Sequence, residues 1–169
     1  MKNMIAICSL SIGAAACAAG ATQTSAMTSA GDAAMMKKHH MPQVISVESA
    51  ASFETTLTNL RAAIDKRGFK TFAVIDHAAG AASIDETLRP TTLIIFGNPK
   101  GGTPLMRAEQ KLGLELPLKM LVAANADGGV DIIYPDIAHL FHEYGIGGMT
   151  ASMAKIEGAL GAIATEAAQ

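Results

Sequence analysis

The sequence predicts an α+β fold: a compact single domain whose largely antiparallel sheet packs against helices. Three patterns carry that expectation. Apolar runs of strand length, such as Lys70–Asp76 and Thr91–Phe96, lie between stretches with helical spacing. Asn125-Ala126-Asp127-Gly128-Gly129 separates two further runs and is a strong hairpin signal. The resulting order, β-α-β-β-α-β-β-α-α, does not alternate strictly between strand and helix, which favours antiparallel pairing over a parallel sheet.

Taken in order, Val44, Ile45 and Val47 open the domain as a short strand. Ser49 is the expected N-cap of a helix carrying Phe53, Leu57, Leu60 and Ile64 on one stripe, closed by Gly68. Lys70 to Asp76 is a strand, with Phe72 and Val74 on one face and Thr71, Ala73 and Ile75 on the other. Ala78 to Arg89 is a small-residue connection with room for a helical turn, and Pro90 precedes the strand Thr91–Phe96. A short helix is expected from Pro104 to Leu112, ending at Gly113. Strands Leu118–Ala124 and Val130–Tyr134 flank the hairpin turn. Asp136 then caps a helix to about Tyr144, and Thr150 caps one with Met153, Ile156, Leu160 and Ile163 on a stripe.

Ahead of this domain (residues 43–169) the chain reads as a leader and a linker. Residues 1–21 have the layout of a secretion signal: Lys2, a short apolar core from Met4 to Ala16, then Ala-x-Ala patterns. That core is well short of the roughly 20 residues that span a bilayer. Both cysteines, Cys8 and Cys17, fall in this segment, so a cleaved chain would carry no thiol chemistry. Ala14-Ala15-Ala16-Cys17 resembles a lipobox, with Ala14 in place of the usual leucine, and makes Cys17 the candidate lipidation site. The expected location is therefore the periplasm, either soluble or held at the membrane by that lipid anchor. Residues 22–42 are rich in Ala, Ser, Thr and Gly and read as a disordered linker.

The central stretch of the domain runs from Leu93 through Gly97-Asn98-Pro99-Lys100-Gly101-Gly102-Thr103 to Met106. A P-loop is excluded, because Thr103 and Pro104 stand where Lys and Ser or Thr would reach phosphate and magnesium. The dinucleotide pattern G-x-G-x-x-G fails as well, since position 99 is proline. What remains is a glycine-rich turn with Thr103 as N-cap and Pro104 in the first helical turn, where free amides and nearby Lys100 could attract an anion. A positive φ at Gly101 would account for that glycine. Asn98, Lys100, Gly101, Gly102 and Thr103 are thus candidate ligand-binding residues.

Other chemistry is thinner. Asp76 and His77 form the best acid/base pair and join the candidate ligand site, although adjacent strand residues point to opposite faces. His139, His142 and Glu143 share a helix face but match neither zinc-hydrolase spacing. Met35, Met36, His39, His40 and Met41 bring together thioether and imidazole, both copper ligands, while Lys37 and Lys38 repel a cation. No Gly-x-Ser-x-Gly elbow exists, and nothing calls for a cofactor. A net charge of −2 without a basic run, together with the absence of tryptophan, argues against nucleic acid.

Several of these segments carry a resemblance. Gly68-Phe69, Val74-Ile75-Asp76-His77, Ile95-Phe96-Gly97-Asn98-Pro99-Lys100-Gly101-Gly102-Thr103-Pro104-Leu105-Met106, Leu116-Pro117-Leu118-Lys119 and Tyr134-Pro135-Asp136 are similar to the DUF302 family of bacterial domains, across roughly Val44 to Gly145. The resemblance implies a two-layer sandwich related to the TATA-binding-protein type, and dimers in some members. It implies no activity, because the family has no settled biochemical role. Ile137 stands where the family often has proline after Asp136.

The functional expectation is accordingly modest: an exported, non-enzymatic small-ligand-binding or accessory module, taking a small anionic ligand and forming a homodimer. The alternative is copper capture by the Met/His tract. An enzyme is the least supported class, since no complete catalytic constellation is visible.

Overall fold

The computed structural model describes residues 43–146 and 150–169, leaving aside the side chain of Thr150. The expected signal and linker, with Cys17 and the candidate metal ligands Met35, Met36, His39, His40 and Met41, lie outside the described residues, as does the cap at Thr150. Strand Val44–Ser49 (β1) leads into helix Phe53–Lys66 (α1), strand Lys70–Asp76 (β2), short helix His77–Ala82 (α2) and strand Thr91–Gly97 (β3). Helix Pro99–Ala108 (α3) and a 3-10 turn, Gln110–Leu114, follow. Strands Leu118–Ala124 (β4) and Val130–Pro135 (β5) then precede helices Ile137–Glu143 (α4) and Thr150–Ala167 (α5).

The strands form a single sheet in the order β1-β5-β4-β3-β2, antiparallel at every step. Period-2 alternation decides which face is dry. Thr92, Ile94 and Phe96 of β3 share one face with Leu118, Met120 and Val122 of β4 and Val130, Ile132 and Tyr134 of β5, and all are buried. Against this face pack Leu60, Ala63 and Ile64 of α1, Ile137 and Phe141 of α4, and Leu160, Ile163, Ala164 and Ala167 of α5. Burying each large apolar side chain is worth about 1.5–3 kcal/mol, so this layer dominates stability. The opposite face, where Ile75, Leu93, Leu121 and Ile133 lie in one register row, contributes nothing to that core. The α+β expectation and the two layers are met.

Two local expectations are corrected. The N-cap of α1 is Ser52, whose hydroxyl accepts from the Thr55 amide at 3.3 Å. Ser49 instead ends β1 opposite Val130, is buried, and hydrogen-bonds the Thr56 hydroxyl at 2.7 Å. Ser49-Ala50-Ala51-Ser52 offers two caps, and the ladder claims the first. In β2, a bulge between Thr71 and Ala73 breaks simple alternation. Thr71 and Val74 therefore pair with the core-side residues Phe96 and Ile94, while Ala73 and Ile75 pair with Ile95 and Leu93 on the other face.

Other signals hold as read. Gly68 adopts φ 71° and ends α1 with its amide on Asp65 and the Phe69 amide on Ile64. In the hairpin, Asn125 Oδ1 accepts from the amides of Asp127 and Gly129, and Gly128 takes φ 87°. Asp136 Oδ1 accepts from the His139 amide and caps α4, which ends before Tyr144. Lys66 and Arg67, at the end of α1, reach Glu166 of α5 at 2.8 and 2.7 Å and hold its carboxyl below the usual carboxylate range.

Candidate functional site

At the end of β3 the chain does not loop as expected; it turns directly into α3. Asn98 is the N-cap, with its side-chain oxygen accepting from the Lys100 amide at 3.0 Å, and Pro99 takes the first helical position. Thr103 is therefore not a cap, and Pro104 lies inside the helix rather than at its start. Lys100, Gly101 and Gly102 occupy its opening turns, and Gly101 lacks a positive φ. Two glycines and an internal proline make a poor helix former. Tertiary packing supplies the difference: Leu105 is buried, and Met106 packs against the same core. Downstream, the helix ends at Ala108 and the 3-10 turn takes the stretch to Leu114, where one helix to Leu112 was expected.

This geometry changes what an anion would meet. The Gly101 and Gly102 amides both donate to the Asn98 carbonyl, at 2.9 and 3.0 Å, so Asn98 engages every amide donor of the first turn. The helix start is thus already capped, and little of its donor capacity points at solvent. Asn98 Nδ2 also donates to the Gly68 carbonyl at 3.5 Å, linking α3 to the end of α1.

Beside α3 lies a cavity of about 430 Å³, within the usual small-molecule range of roughly 300–1,000 Å³. Its apolar wall includes Phe69, Phe72, Met106, Leu116, Pro117 and Ile156. Asn98, Lys100 and Thr103 come to it from α3 and its cap, and Ser152 and Lys155 from α5. The charged side chains lining it are both lysines, and neither has an ion-pair partner among the described residues. At its floor, a Cβ on Gly97 would stand 3.3 Å from Pro117 Cβ and 3.4 Å from the Phe72 ring, a close approach that favours glycine.

Asn98, Lys100, Gly101, Gly102 and Thr103 therefore line one cavity, and Asp76 and His77 do not join them. Lys70 pairs with Gly97, whereas Asp76 pairs with Thr92, so the two groups sit at opposite ends of the sheet. Their separation is on the order of 20 Å along the strand. Asp76 Oδ1 accepts from the Ala79 amide at 2.9 Å and caps α2, and His77 is its exposed first residue. On α4, His142 Nδ1 lies 3.6 Å from Glu143. Among the described residues no group of three or more His, Cys, Asp or Glu is placed to hold a metal.

Sequence reasoning missed Phe72, Ser152, Lys155 and Ile156 as cavity residues. Phe72 carried a usable signal, being the aromatic side chain of its strand. Lys155 carried none, because it reaches the site through long-range packing of α5.

Comparison with known proteins is consistent with this architecture. The model of a family described as "Domain of unknown function DUF302" matches residues 45–166. A fluoride-specific ion channel, FluC 1, of Brucella suis is 36% identical over 104 residues, covering 62% of this chain and 41% of that protein. FluC 1 of Brucella abortus is likewise 36% identical, covering 62% and 38%. The chain thus spans about two-fifths of the length of these curated relatives. In structure, the crystal structure of an uncharacterized conserved protein DUF302 from Bacillus stearothermophilus superposes with a TM-score of 0.68 at 17% identity, covering 75% of this chain and 98% of that one. That likeness bears on the fold alone.

Proposed function

The chain belongs to the DUF302 family, and on that premise we propose that it is a non-enzymatic small-ligand-binding or accessory module of the cell envelope. Its ligand is a small anion held in the cavity beside α3. One observation carries this reading: the cavity has two lysines and no acidic side chain in its lining. An ammonium beside a partly desolvated apolar wall attracts an anion more strongly than one in open water. The Brucella relatives are consistent with an accessory role. They are named as channels, and this chain covers about two-fifths of their length. No helix among the described residues is long and apolar enough to cross a membrane. On this proposal the shared segment is an accessory part beside the channel of those proteins.

The partner we propose is a second copy of the chain. The sheet face bearing Ile75, Leu93, Leu121 and Ile133 takes no part in the core, and a half-exposed apolar row of that kind gains from further cover.

Thermal-shift measurements with phosphate, sulfate and small carboxylates test the ligand reading, since a ligand bound only by the native state raises the melting point. The expected result is a rise with at least one anion that Lys100→Ala diminishes without unfolding the domain. Absence of a shift with every anion retires the anion site. The copper alternative is separated by deleting residues 35–41, which removes copper binding only if the Met/His tract is the functional part.

A further inference from the structure

We propose that the cavity takes an amphipathic monoanion: an acid head group met by Lys100 and Lys155, and an aliphatic or aromatic body lying on the apolar wall. This rests on the anion reading above and names the class of ligand. Two observations select the class. First, the polar groups of the lining are few and the apolar ones many, so a bare inorganic anion would leave Phe69, Phe72, Met106, Leu116, Pro117 and Ile156 wet and uncompensated. Second, the first-turn amides of α3 are spent on Asn98, so the cavity offers no amide nest for a dense, multiply charged phosphate. Lysine is a point charge with freely rotating donors, suited to a carboxylate whose position is fixed by its apolar body. Lys100 and Lys155 come from different helices, so ordering the head group draws α3 and α5 onto one ligand.

Gly102 supplies a way to close the cavity. A Cβ there would meet Leu116 Cδ1 at 3.7 Å and Met106 Cε at 3.9 Å, ordinary contacts that admit a side chain while directing it at the wall. A Cβ on Gly80, in α2 and outside the cavity lining, would meet no heavy atom within 4 Å, which makes that position the neutral control.

The test is calorimetric titration of the full chain with octanoate, decanoate, decanol and inorganic phosphate, all below any micellar range. Each buried methylene should tighten binding about threefold to fourfold, so decanoate should exceed octanoate by about tenfold. Decanol should bind roughly tenfold more weakly than decanoate, and Lys100→Gln with Lys155→Gln should remove that difference. Gly102→Leu should abolish decanoate binding with an unchanged circular-dichroism spectrum, while Gly80→Ala, away from the cavity, leaves binding intact. Equal binding of decanol and decanoate overturns the head-group assignment. Phosphate binding without decanoate binding overturns the amphipathic class and leaves the anion reading standing. No binding by any probe overturns both.

Discussion

Replacing Gly101 by alanine should stabilise the domain, and the size of the effect follows from where α3 begins. Gly101 sits in the helix three residues after its cap, without a positive φ, and a Cβ there meets nothing within 4 Å. The substitution therefore adds no clash and removes backbone freedom from the unfolded chain. In a helix interior that exchange is worth about 0.5–1 kcal/mol, and near an N-terminus the lower end applies. For a domain of this size, about 0.5 kcal/mol raises the melting point by roughly 2–3 °C. Gly68→Ala is the internal control, because φ 71° there forces alanine into the left-handed region at a cost of about 1 kcal/mol or more. Calorimetric melts of both variants measure the difference. If Gly101→Ala destabilises as much as Gly68→Ala, the helical start at Pro99 is wrong and the glycine-rich turn is restored.

Ser52→Ala should cost about 1 kcal/mol through loss of the α1 cap, while Ser49→Ala leaves the buried Thr56 hydroxyl without that 2.7 Å partner and should cost about 1–3 kcal/mol; urea titrations measure both. Tyr134 and Tyr144, the chain's two tyrosines, should ionise above the ordinary value, Tyr134 through burial and Tyr144 through desolvation followed by the Glu115 carboxylate. Their contribution to stability is then full below about pH 10 and declines as pH rises through the folded-state values, a change that tyrosinate absorbance follows without interference from tryptophan. Leu121→Glu, placed in the middle of the sheet face outside the core, should convert a dimer to a monomer in sedimentation equilibrium, and a wild-type chain that is monomeric at about 100 µM removes the self-association proposal.

Much of the fold is legible in the sequence because its signals are local. Alternation in β3, β4 and β5, the Asn125–Gly129 turn, the Gly68 stop and the Asp136 cap each depend on a handful of neighbouring residues. Expectation and structure part where tertiary packing overrides those signals. Pro99 through Pro104 looks like a turn by propensity, and the burial of Leu105, with Met106 against the same core, favours helix. Ser49 is drawn into the ladder by Val130, a residue far along the chain, and the bulge at Phe72 shifts one edge of the sheet by a residue. The site is half legible. Its α3 side follows from Asn98 to Thr103, but Asp76 and His77 join it on paper only because the sequence does not say which end of a strand a turn occupies. Lys155 is found only once the fold brings α5 to the same cavity.

Ligand binding in the cavity between α3 and α5 is tested most directly by amide chemical-shift perturbation during a decanoate titration, residue by residue. The expected shifts concentrate at Phe72, Lys100, Gly102, Met106, Ser152 and Lys155, with Asp76 and His77 unmoved at the far end of the sheet. Perturbation centred on Asp76 and His77, with the α3 residues silent, would contradict binding in this cavity.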